Sequence, residues 1–274
     1  MNNPKLLLGS AVIISAVCYQ LVNTIKTSLM FHPTKNVKVP NGITLEDVYL
    51  DTMDGDKIHG WFYQGEKKET ILYCHGNAGN IGDREHIIHF FKNMGYSVFM
   101  FDYSGYGRST GKPSEKSLFH SAQIACEYLV KDRKTSLDNI IIFGSSIGSS
   151  VASWLTQYCR PRCLILQAPF YRIKEMVPSM IKSFKFTCPE FDTITYLKNR
   201  MDEVPVLVLH SPDDALIPCA QGEQLCQEIE DPKLFIKIRG THSSPIMDRE
   251  YHENISSFIE ASTNPMPITE DKKK

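Results

Sequence analysis

The run Asn139-Ile140-Ile141-Ile142-Phe143 leads straight into Gly144-Ser145-Ser146-Ile147-Gly148, and residues 149–158 then carry apolar side chains at helical spacing. A short, almost wholly apolar run is a strand buried on both faces, as in a parallel sheet covered by helices. A strand that becomes a helix within five residues must turn tightly, and glycines flanking Ser146 let the two backbones pass closely. The stretch therefore predicts a strained strand-to-helix elbow that holds the Ser146 hydroxyl clear of the sheet.

The same alternation runs through most of the chain. Residues 44–51 and 56–64 read as two strands joined by Met53-Asp54-Gly55, where Asp-Gly is a hairpin signal. Strand patterns follow at 70–74, 96–101, 139–143, 163–167, 204–210 and 233–238, and helical patterns at 83–94, 114–131, 147–158, 219–229 and 248–261. Eight strands interleaved with helices predict an α/β fold with a mostly parallel sheet flanked by helices, in one domain over residues 31–262. Residues 31–41 read as a linker into it. Residues 170–200 break the rhythm with Pro178, Pro189 and six bulky apolar side chains between 176 and 191, more than a surface loop needs. They suit either a helical crossover or a small lid.

The ends differ from the body. Residues 6–25 carry no charge, and twenty residues make a helix of about 30 Å, enough to span a bilayer. Bulky Tyr19-Gln20-Leu21-Val22 stands where a cleaved signal peptide has small residues, so residues 1–30 are expected to be an uncleaved single-pass membrane anchor. Lys26, Lys35 and Lys38 against Lys5 point to a cytoplasmic catalytic domain without fixing the orientation. Residues 263–274 form a polar tail. A net charge of −1 gives no reason to expect a nucleic-acid partner. The eight cysteines include no C-x-x-C and no zinc-finger spacing, so no metal is expected. Cys74, Cys126 and Cys163 sit where cysteine acts as a small buried hydrophobe.

A serine hydroxyl is a poor nucleophile until a base takes its proton, and a histidine base needs a carboxylate to hold its tautomer. Asp213 and Asp214 follow the 204–210 strand, and His242 follows the next strand in Arg239-Gly240-Thr241-His242. Both places are strand ends, where α/β sheets carry their functional groups. Either aspartate fits by position. The other histidines have plainer readings: His75 as a turn residue bonding nearby backbone, His210 as loop scaffolding, and His86 with His89 on a helix surface without a third metal ligand. Gly105, Gly107 and Gly111 miss the G-x-G-x-x-G spacing by one residue, and Lys112-Pro113 follows instead of a helix.

Four stretches together resemble the α/β-hydrolase superfamily, most closely its membrane-anchored Bem46-like and ABHD-type serine hydrolases. They are Cys74-His75-Gly76-Asn77-Ala78-Gly79-Asn80, Phe101-Asp102-Tyr103-Ser104-Gly105-Tyr106-Gly107-Arg108-Ser109, the elbow, and the segments holding Asp214 and His242. The likeness covers residues 31 to about 261, and the chain order Ser, Asp, His is that of the superfamily. It implies Ser146 as nucleophile, His242 as base and Asp214 as the orienting acid. It also implies an oxyanion hole from the N–H groups of Asn77 and Ile147, with Ala78 as the alternative to Asn77. Ser211 stands where the family has glycine before the acid, and Ile217 where it has valine. The implied activity is cofactor-free hydrolysis of a carboxylic ester or thioester at a membrane, with lipid or S-acyl substrates ahead of small soluble esters. A non-catalytic membrane-tethered scaffold with the same fold is the reading from another class.

Overall fold

The computed structural model of the protein describes residues 30–176, 191–201 and 203–262. The span expected within residues 6–25, the centre of the 170–200 segment and the 263–274 tail lie outside them. Among the described residues no helix is long and apolar enough to cross a membrane.

Ten strands are described: β1 (His32–Pro33), β2 (Glu46–Asp51), β3 (Lys57–Tyr63), β4 (Thr70–Cys74), β5 (Ala78–Gly79), β6 (Ser97–Phe101), β7 (Ile140–Ser145), β8 (Cys163–Gln167), β9 (Val206–His210) and β10 (Lys233–Lys237). Eight form one sheet in the order β10-β9-β8-β7-β4-β6-β3-β2. β3 runs antiparallel to both of its neighbours, and every other pairing is parallel. The eight predicted strands are these eight, with ends shifted by one or two residues. The Asp-Gly turn joins β2 to β3, Gly55 taking φ +82° and donating its N–H to Thr52 O at 3.1 Å.

The continuous apolar runs are buried because both faces of the sheet are covered. Ile140, Ile142, Leu164, Leu166, Val206 and Val208 face one apolar layer, closed by Leu118, Val151, Ile194 and Leu225 of the helices Glu115–Lys131, Ile147–Leu155, Thr193–Lys198 and Cys219–Glu228. Ile141, Phe143, Ile165, Leu207 and Leu209 face the other, closed by Ile87, Phe91, Ile255 and Ile259 of the helices Glu85–Asn93 and Arg249–Ala261. Alternate residues of each strand thus supply opposite cores, the two-residue period that a strand imposes. The Glu115–Lys131 helix starts where Ser114 Oγ accepts the Ser117 N–H at 3.0 Å and Ser117 Oγ accepts the Ser114 N–H at 2.8 Å, a reciprocal cap worth about 1 kcal/mol.

One segment departs from the sequence reading. Residues 31–41 are not a free linker, since β1 pairs in parallel with β5, the loop strand just after β4, and Phe31 is buried. The described ends of the 170–200 segment are packed into the core. Phe170 and Phe191 are fully buried, and Ile194 and Leu197 join the core beside Val151 and Leu155.

The six cysteines of the described residues are free; five are buried and Cys219 is half-buried. Cys126 Sγ and Cys159 Sγ lie 3.9 Å apart.

Candidate active site

Parallel strands place their C-terminal ends at one edge of the sheet, and the loops leaving β4, β7, β8, β9 and β10 all emerge there. The elbow follows β7. Ser146 adopts φ 55° and ψ −121°, a conformation that L residues rarely adopt. It is held there from both sides: the Ser146 N–H donates to Gln167 O of β8 at 2.9 Å, and Ser149 donates its N–H to Ser146 O at 2.9 Å and its hydroxyl to Gly144 O at 3.0 Å. Both elbow glycines are required by space. A Cβ on Gly148 would run into Cys74 O and lie 2.6 Å from His75 O, while one on Gly144 would run into Gly148 O and lie 2.7 Å from Ala152 Cβ.

His242 sits on the loop after β10, closed by the Ile246 N–H to Arg239 O bond at 2.9 Å and by Gly240 at φ 104°. Its Nε2 is 3.1 Å from Ser146 Oγ and its Nδ1 is 2.7 Å from Asp214 Oδ2. A carboxylate only accepts, so Nδ1 carries the hydrogen and Nε2 is left as the acceptor for the serine hydroxyl. The Asp214 carboxyl is wholly buried, whereas the imidazole is 15% exposed and Ser146 is half-buried. The three groups named from the sequence therefore meet, and Asp213, which is exposed, takes no part.

Asp214 is fixed from behind. Its Oδ1 accepts the N–H groups of Leu216 at 2.9 Å and Ile217 at 2.8 Å. Burial pushes its pKa up, but the bond from Ile217, the bond and charge of His242 and the bond from Leu216 outweigh that, and the carboxyl is held below its ordinary value. The loop carrying it is joined to that of His242 by Ser211, the residue that replaces the family glycine, whose hydroxyl donates to Gly240 O.

His210 scaffolds as expected, its Nε2–H donating to Ile217 O at 2.9 Å, but it also lies 3.3 Å from Asp214 Oδ2, a contact that no local pattern in the sequence signals. Burial lowers its pKa, which keeps a second positive charge away from the acid. His75 is a turn residue with Nδ1 donating to Gly76 O at 2.7 Å. Burial pushes its pKa down to about 4. His86 and His89 stay on the face of their helix, and no cluster among the described residues could hold a metal ion.

The loop after β4 passes directly over the elbow: a Cβ on Gly76 would lie 3.5 Å from Ser146 Cβ. Asn77 follows Gly76, whereas Ala78 is engaged in the ladder with His32. Ile147 is the first residue of its helix, where the backbone N–H has no partner inside the helix. The hydroxyl, imidazole and carboxylate can pass a proton from Oγ to Nε2 and balance the resulting imidazolium.

Residues 65–192 match a family model described as serine aminopeptidase, S33. The chain is similar to protein bem46 of Schizosaccharomyces pombe, with 34% identity over 244 residues covering 82% of this chain and 80% of that one. It is also similar to the uncharacterized protein YfhR of Escherichia coli K12, with 28% identity covering 96% of each. Among solved structures, an esterase of Pyrococcus furiosus superposes with a TM-score of 0.72 at 16% identity, covering 86% of this chain and 98% of that one. An alpha-beta hydrolase from Vibrio vulnificus superposes with a TM-score of 0.70 at 24% identity, covering 80% and 82%.

Proposed function

Because the chain belongs to the Bem46-like α/β-hydrolases, we propose that it is a membrane-anchored serine hydrolase that cleaves carboxylic ester or thioester bonds through an acyl-enzyme. The observation that carries this reading is the continuous contact from Asp214 Oδ2 through His242 to Ser146 Oγ, at 2.7 and 3.1 Å. Ser146 Oγ attacks the carbonyl carbon as His242 Nε2 takes its proton, and Asp214 stabilises the imidazolium. The tetrahedral oxyanion faces the N–H groups of Asn77 and Ile147, each donor lowering the barrier by about 3 kcal/mol. Collapse expels the alcohol or thiol, which takes the proton from Nε2 and leaves an ester on Ser146. Water, deprotonated by His242, then attacks that ester and releases the acid, restoring the hydroxyl. No step needs a cofactor.

A lipid or S-acyl substrate is supported by the short stretch of chain between the proposed anchor and the loop over Ser146. Asn77 Nδ2 donates to Met30 O at 2.6 Å, so the described chain begins against the loop that lies over Ser146. Only four residues separate Met30 from Ile25, the end of the uncharged stretch. The five steps from Ile25 to Met30 reach at most about 18 Å, so an anchor ending there would hold the site close to the bilayer surface.

The test is labelling of the full-length protein with a fluorophosphonate probe, followed by turnover of acyl esters and thioesters of increasing chain length. Ser146 should label and Ser146→Ala should not. Each methylene that enters an apolar site contributes about 0.8 kcal/mol, so a lipid enzyme should favour chains beyond about eight carbons. Activity confined to acetyl esters would move the substrate to small soluble esters. A folded protein that neither labels nor turns over any ester would leave the scaffold reading.

A further inference from the structure

The short segment that precedes the main sheet is bound to the loop proposed to supply the oxyanion donor, and it is bound there repeatedly. His32 and Pro33 pair with Ala78 and Gly79, and the Thr34 N–H donates to Gly79 O at 3.1 Å. The buried Asn80 carboxamide donates to Thr34 Oγ1 at 2.6 Å and to Asn36 O at 2.9 Å. Thr34 O in turn accepts the Gly107 N–H at 2.9 Å, which joins the segment to the turn carrying Tyr106.

Asn77 sits in the middle of this attachment. Its Nδ2 donates to Met30 O at 2.6 Å, and its Oδ1 accepts the Tyr106 hydroxyl at 3.0 Å. With both ends of the carboxamide held, the peptide plane of residue 77 loses its freedom to turn. A linker that only tethered a domain would not need to grip one residue of the loop over Ser146 from two sides.

We infer that residues 30–36 are part of the oxyanion site, acting as a strap that with Tyr106 fixes the direction of the Asn77 N–H. Met30 and Tyr106 are positioning groups, since neither touches the reacting atoms. The inference rests on the hydrolase reading above and adds that the segment leaving the proposed anchor is required for turnover as well as for attachment.

Tyr106→Phe and Asn77→Ala, alone and together in the full-length chain, test this. Both keep the backbone N–H of residue 77 and break one or both bonds that orient it. On a p-nitrophenyl ester each single variant should lower kcat about tenfold with KM within twofold and with the pH profile unchanged. The double variant should be no worse than Asn77→Ala, because both substitutions undo one clamp. Thermal unfolding of the same samples establishes that they are folded, and if Asn77→Ala is not, Tyr106→Phe, which loses one hydroxyl, decides alone. Wild-type kcat in the variants, losses that multiply to about 100-fold, or losses confined to KM would overturn the strap while leaving the hydrolase reading intact. Absence of any Ser146-dependent turnover in the unsubstituted protein would overturn both.

Discussion

Asp214 meets His242 through one carboxylate oxygen, at 2.7 Å, and uses the other to accept two backbone N–H groups, from Leu216 and Ile217. Asp214→Asn should therefore fail in a specific way. The backbone donors keep the amide oxygen on their side, so the amide NH2 points at His242 and makes Nδ1 the acceptor. Nε2 then carries the hydrogen and cannot take the Ser146 proton. The expected loss is about 10⁴-fold in kcat with an unchanged fold. Asp213→Asn should stay within twofold, and steady-state kinetics on both variants separates the two aspartates that sequence position alone leaves open.

His75 should make the protein acid-sensitive well above the carboxylate range. Burial pushes its pKa from 6.5 down to about 4, with the neighbouring Asp102 charge opposing the shift. Above pH 6.5 the imidazole is neutral in both the folded and the unfolded chain. As pH falls from 6.5 through 4 the unfolded chain binds a proton that the folded one refuses, so stability drops, by on the order of 3 kcal/mol at the lower end. Urea unfolding at pH 7, 5.5 and 4 should show His75→Asn losing correspondingly less stability on acidification than the wild type. Parallel pH dependences of the two proteins would rule this origin out.

The elements, Ser146 and His242 are legible in the sequence because each leaves a local mark, whereas Asp213 and Asp214 share theirs. Ile140–Phe143 is apolar on both faces, Gly144 and Gly148 flank the serine, and the aspartate pair and the histidine each follow a strand. The grip on Asn77 leaves none. Met30 and Tyr106 lie 47 residues before and 29 residues after it, and the β1–β5 ladder is only two residues long, too short to show any alternation. Residues 31–41 consequently read as a linker. The same applies to His210 beside Asp214: one ends β9 and the other lies four residues on in the following loop, and they meet only because the chain turns back to give His210 the carbonyl of Ile217.

Gly148→Ala should be far more damaging than one added methyl suggests. The new Cβ would collide with the carbonyl oxygens of Cys74 and His75, which are backbone atoms at the end of β4 and cannot rotate aside. Overfilling a tight interior costs about 1–3 kcal/mol when side chains can adjust, and here the loop over Ser146 must move with them. The expected result is a loss of at least about 2 kcal/mol in chemical unfolding together with most of the turnover. A variant with wild-type stability would mean that the helix can shift off β4 without cost.

The strained backbone at Ser146 gives a prediction with opposite signs for stability and activity. A non-glycine residue at φ 55° and ψ −121° is held at a cost of about 1–3 kcal/mol, which the bonds to Gln167 and Ser149 keep in place. Glycine tolerates that geometry but loses about 0.5–1 kcal/mol more chain entropy on folding. Ser146→Gly should thus gain about 1 kcal/mol net, a rise of roughly 2–4 °C in Tm for a domain of this size, while abolishing turnover. Ser146→Ala abolishes turnover too but keeps the Cβ and its strain, so it should melt below Ser146→Gly. Calorimetry on the pair isolates the backbone term from the lost hydroxyl, and equal Tm values would mean that the elbow stores no strain at the serine.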